Sequence, residues 1–158
     1  MTKSLRALCV FFCILLIGCD KAASVTPITE FTADFTAEYR GQSLEGSLTY
    51  SRQDRMNLRL ATPDSLAGLS VGYNAATLRI SKEGLQCTAD EAYLPPESFP
   101  ASIKSALDAV SREVENEEVR IKDNITADGW EVTFNIEGFP QTLQNNDINI
   151  TLSCQRAL

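Results

Sequence analysis

The sequence predicts a mainly β, α+β domain: one curved antiparallel sheet, or incomplete β-barrel, of about 8–9 strands with a single amphipathic helix packed on its concave face. Three observations lead there. Between Phe31 and Cys154, apolar residues recur at every second position in short runs separated by turn residues. The period changes once, after Pro95 and Pro96, to spacings of three and four. It then returns to two.

The first run is the cleanest. Phe31, Ala33, Phe35, Ala37 and Tyr39 alternate with Thr32, Asp34, Thr36, Glu38 and Arg40, so one face is dry and the other wet. Gly41 and Gln42 turn the chain, and Leu44, Gly46, Leu48 and Tyr50 repeat the pattern. After a turn near Gln53 and Asp54, Met56, Leu58 and Leu60 do the same, making a three-stranded meander. Pro63 and Asp64 end it. Past Gly68, Leu69, Val71 and Tyr73 alternate, then Leu78 and Ile80, and Lys82, Glu83 and Gly84 read as a hairpin turn into Leu85, Cys87 and Ala89.

Ser98 suits a helix N-cap and Pro100 a first turn, and Phe99, Ile103, Leu107 and Val110 follow on one stripe. A helix of about 15 residues results, with Lys104, Ser105, Asp108 and Arg112 on its wet side. Its apolar stripe has only the dry face of the sheet to bury against. Glu113, Glu115, Glu117 and Glu118 read as a solvated helix exit rather than a cation site. Val119 and Ile121, then Trp130, Val132, Phe134 and Ile136, then Ile148, Ile150, Leu152 and Cys154 supply the last strands. Residues 126–129 and the long segment 138–147 link them.

The chain opens differently. Lys3 and Arg6 precede an uncharged apolar run over residues 7–17, too short for the ~20 residues that span a bilayer as a helix. A basic start, a short apolar centre and a small residue at its end read as a secretory signal. The tail Leu16-Ile17-Gly18-Cys19 resembles the lipobox of bacterial lipoproteins. That resemblance implies that residues 1–18 are removed and that Cys19 is acylated, by palmitate or a similar chain, as the first mature residue. An ordinary signal peptide or an uncleaved anchor is the alternative. Asp20 resembles an inner-membrane retention residue, or is simply the first polar residue of the tether. Residues 19–29 read as that tether and residues 30–158 as the domain. The expected location is the outer face of the cell membrane, periplasmic where two membranes are present.

The net charge is −7, and loss of residues 1–18, which hold two cations and no acid, leaves −9. Such a domain is repelled by phosphate backbones, which argues against nucleic acid as a partner. Cys87 and Cys154 are the thiols left in the mature domain. Both fall in the apolar phase of their strands, so they form a disulfide or remain two buried free thiols. The chain has no histidine, no Gly-x-Ser-x-Gly motif and no phosphate loop. It therefore offers no catalytic residue, metal site or cofactor site to assign.

Several segments together resemble the lipoprotein-carrier family, the LolA/LolB-like group. They are the amphipathic strand of residues 31–40, Met56-Asn57-Leu58-Arg59-Leu60 leading to Pro63 and Gly68, Leu78-Arg79-Ile80 with its turn at Gly84, and Leu94-Pro95-Pro96 before the helix. The resemblance covers most of residues 31–154 and implies a half-barrel over an apolar cavity that holds acyl chains. It departs from a full carrier in showing one helix instead of several. No carrier arginine can be matched: Arg52, Arg55, Arg59 and Arg79 read as wet-face or turn residues. The candidate pocket residues are Phe31, Phe35, Tyr39, Leu58, Leu60, Tyr73, Leu78, Phe99, Ile103, Leu107, Trp130, Phe134 and Ile150. The expected function is binding of a lipid or a lipoprotein acyl chain by a membrane-anchored module. The alternative is a structural or protein-interaction lipoprotein, because a solid core needs the same apolar face as a pocket.

Overall fold

The computed structural model describes residues 26–52, 55–116 and 124–158. The expected strand at Val119 and Ile121, the acids Glu117 and Glu118, and everything proposed for residues 1–25 lie outside them. Strands β1 (Glu30–Tyr39), β2 (Gln42–Ser51), β3 (Arg55–Thr62), β4 (Ser70–Asn74), β5 (Thr77–Lys82) and β6 (Leu85–Asp90) run up to a 3-10 turn at Glu91–Tyr93. Helix α1 (Phe99–Asn116) follows, then β7 (Asn124–Ala127), β8 (Trp130–Phe134), β9 (Pro140–Gln144) and β10 (Ile148–Ala157). They form one antiparallel sheet in the order β6-β5-β4-β3-β2-β1-β10-β9-β8-β7.

The fold class is as expected, with ten strands instead of eight or nine. Two of the ten were not expected: β7 runs into the expected 126–129 link, and β9 lies in the expected 138–147 link. The latter begins at Pro140 and carries polar residues at three of its five positions, and proline weakens any strand reading. Ile136 is also corrected. It continues the alternation of β8 on paper, but it is 93% exposed, because the strand stops at Phe134. The Asn135 carboxamide oxygen accepts from the Glu137 and Phe139 amides and bends the chain there.

The turns follow sequence chemistry. At Glu83 and Gly84 both φ values are positive (52° and 82°), the geometry of a two-residue hairpin that glycine supports. Register in the β1–β2 pair is unbroken from Glu30↔Ser51 to Tyr39↔Gln42, so the alternation read in both strands falls on one face.

Ten strands laid flat would span about 43 Å, whereas one helix is about 10 Å across. The inward side chains of β1–β5 and β7–β10 nevertheless join those of α1 in a single apolar core. The sheet therefore wraps the helix. Phe99, Ile103, Ala106, Leu107, Ala109 and Val110 form the helix's buried stripe, each at most 5% exposed.

Candidate functional site

Helix α1 starts where expected. The Ser98 carbonyl accepts from the Ser102 amide at 2.9 Å, although the Ser98 hydroxyl has no partner among the described residues. The Phe99 ring sits 5.7 Å from Phe35 and 5.5 Å from Tyr39, centroid to centroid, which locks the helix start against β1. The Tyr39 hydroxyl donates to the Glu97 carbonyl at 2.7 Å, just before that start.

The helix's wet side needs correction. Lys104 and Asp108 are not solvated; their side chains are each 17% exposed. Asp108 Oδ1 accepts from the Tyr50 hydroxyl at 2.8 Å, and Oδ2 accepts from Lys104 Nζ at 2.6 Å. Ser111 Oγ lies 3.0 Å from the same tyrosine hydroxyl. This pins the helix to β2 through a polar contact inside an apolar frame, with both partners satisfied. Burial pushes the Tyr50 hydroxyl well above its usual range. Burial also raises Asp108 from 3.8, opposed by its donors Lys104 and Tyr50 and by the nearby Arg112 charge.

A pH dependence follows. An acid whose pKa is higher in the fold than in the unfolded chain binds its proton more readily when folded, so its contribution to stability falls as pH rises from 3.8 through the raised value. Asp108→Asn removes that slope. Urea titrations at mildly acidic and neutral pH are expected to show the variant gaining on the wild type as pH rises. A constant difference would rule out Asp108 as the titrating group.

Beside this contact a groove of about 430 Å³ runs between α1 and the 3-10 turn. Tyr73, Ala92, Leu94, Pro96 and Ala101 form its apolar wall, and Glu91, Lys104, Ser105, Asp108 and Arg112 its polar one. Tyr73 is 5% exposed, and its hydroxyl has no hydrogen-bond partner among the described residues. Burial, and then the Glu91 carboxylate, push it up to about 12. Lys104 Nζ stands 5.7 Å from the Tyr73 ring centroid and 3.9 Å from Glu91 Oε2. Two further grooves open elsewhere. One of about 520 Å³ lies around Gly46 and Arg59, and one of about 490 Å³ lies at the sheet end near Tyr39, Trp130 and Asp147.

The candidate pocket residues come together as one packed cluster. Phe31, Phe35, Leu58, Leu60, Tyr73, Leu78, Phe99, Ile103, Leu107, Trp130 and Ile150 are buried in it, and Tyr39 and Phe134 pack against it half-buried. Of these, Tyr73 lines the first groove, Phe35 and Leu60 the second, and Tyr39 and Trp130 the third.

The disulfide is corrected. Cys87 is a free, exposed thiol on the edge strand β6. Cys154's side chain lies outside the described residues, but five strands stand between β6 and its strand β10. The two are about 29 Å apart along the sheet, against the ~7 Å limit between bridged Cα atoms. Cys87 keeps the phase of its cross-strand partner Ile80 but lies exposed at the sheet edge; distance across the sheet is not in the sequence. Arg52, Arg55, Arg59 and Arg79 are exposed, as expected.

Sequence reasoning missed Tyr50, Glu91, Lys104 and Asp108 as a group. The i,i+4 spacing of Lys104 and Asp108 could have flagged that pair, whereas nothing local links either to Tyr50. No cluster of three or more His, Cys, Asp or Glu side chains able to hold a metal occurs among the described residues. No helix among them is long and apolar enough to cross a membrane.

No family model matches the sequence, and no curated protein matches it. Among solved structures, the chain is similar to the crystal structure of a LolA superfamily protein from Nitrosomonas europaea, with a TM-score of 0.47 and 6% identity over 87% of this chain and 90% of that one.

Proposed function

We propose that the chain is an exported lipoprotein, held at the membrane by an acylated Cys19, whose LolA-like domain binds a hydrophobic ligand, a lipid or an acyl chain, where helix α1 meets β4 and the 3-10 turn. The observation that carries the ligand reading is the groove of about 430 Å³. Its size falls within the 300–1,000 Å³ of small-molecule sites, and it sets an apolar wall against a polar one, as an amphiphile requires. Anchoring rests on Leu16-Ile17-Gly18-Cys19. Each buried methylene of an attached chain adds ~0.8 kcal/mol of membrane affinity. The reading assigns the domain no catalysis.

The ligand is tested on the chain from residue 26 onward, secreted and purified without detergent, by extraction and lipid mass spectrometry. Stoichiometric lipid is expected; an empty, folded domain overturns the ligand reading. The anchor is tested separately. Labelled palmitate should appear on the wild-type chain and vanish in Cys19→Ser, and equal labelling of both would exclude Cys19.

A second reading has one observation in its favour. Leu58, Leu78, Ile103 and Ile150 are at most 1% exposed, so the concave face is filled by the helix itself. That arrangement suits a structural or protein-interaction lipoprotein that holds no ligand.

A further inference from the structure

We infer that the groove beside α1 selects an uncharged acyl carbonyl, an ester or amide, and that the Tyr73 hydroxyl is the donor that receives it. This rests on the ligand reading above and deepens it.

Charge on the groove wall excludes the other head groups. Glu91 and Asp108 face Lys104 and Arg112, so the wall is neutral as a whole. Neither cation is free: Lys104 Nζ is 2.6 Å from Asp108, and Arg112 is 2.6 Å from Asp128. A phosphate or carboxylate would meet two acids and no unpaired base. A quaternary ammonium would want the Tyr73 ring face, which the Lys104 ammonium already covers at 5.7 Å.

What remains unmet is a single donor. The Tyr73 hydroxyl is buried without a partner among the described residues. Pushed up to about 12, it keeps its proton across the physiological range. A buried hydroxyl left unpaired is costly, and it is relieved by any acceptor that reaches it. A neutral carbonyl supplies that acceptor without bringing a charge into the groove, while its hydrocarbon chain lies along Leu94, Pro96 and Ala101.

The test uses the full chain in dodecyl maltoside doped with 1-monooleoylglycerol or its ether analogue 1-O-oleylglycerol, which lacks the carbonyl, with bound lipid counted by native mass spectrometry. Comparing wild type with Tyr73→Phe cancels partition into the micelle. The ester-to-ether preference of the wild type is expected to exceed that of the variant about five-fold, the worth of one hydrogen bond. Equal preferences, with both lipids bound, overturn the assignment of Tyr73 and leave the groove standing. If neither lipid binds either protein, the ligand reading itself falls. Tyr73→Phe should also leave the unliganded chain at least as stable as wild type. A loss of stability would mean that the hydroxyl is satisfied within the fold, and it would overturn the inference independently.

Discussion

Ile103→Ala is expected to lower the stability of the domain by about 3–4 kcal/mol, in the middle of the range for emptying a well-packed aliphatic site. Ile103 is 1% exposed and sits at the centre of the helix stripe, between Phe99 and Leu107. The helix is the only element among the described residues that covers the dry face of the sheet, so the space left has little to collapse into it. Urea unfolding should show a lower midpoint at unchanged slope. A loss below about 1 kcal/mol would mean that the helix does not sit in the core as described.

A comparable loss, about 3 kcal/mol, is expected for Gly46→Ala, from overpacking. A Cβ at this position would lie 2.0 Å from the Arg59 carbonyl oxygen and 2.9 Å from a Phe35 ring carbon. The backbone comes this close because the β2–β3 register slips between Glu45 and Gly46. Gly72→Ala is the control: its Cβ would meet nothing nearer than 3.8 Å, so the change should stay within about 1 kcal/mol. Equal effects in the two thermal or urea series would show that the β2–β3 contact is not as tight as described.

Much of this architecture could be read in the chain because alternation is a local property. In β1 every inward residue was named correctly from parity, and the stripe of α1 was read from spacings of three and four. Where local signals were weak, the reading failed. β9 begins with proline and is mostly polar, and Ile136 keeps the alternation after the strand has stopped. The site was less legible than the fold. Lys104 and Asp108 look like ordinary solvated helix residues until β2 brings Tyr50 to them, 58 positions from Asp108. Alternation in the sequence put Cys87 and Cys154 in the same phase, but strand order sets the distance between them, and no residue in either strand encodes that order.

Polar and apolar surfaces meet in the groove because the helix is held from both sides. Phe99 locks its first turn to β1, and the Tyr50–Asp108 contact fixes its middle to β2. The flank toward the 3-10 turn stays open, as does the stretch at Ser102 and Ser105 that lines the third groove. Removing one partner of the Tyr50–Asp108 contact would loosen this wall and leave Tyr50 with Ser111, or Asp108 with Lys104, as its remaining side-chain contact.

The most direct measurement is a nuclear Overhauser experiment on the chain saturated with 1-monooleoylglycerol, recording which protein protons approach the acyl methylenes. The account predicts contacts to Leu94, Ala101 and the Tyr73 ring, on the open flank of α1. Contacts confined to Ala61 and Phe35, in the groove around Gly46, or an absence of any contact at saturating lipid, would contradict it.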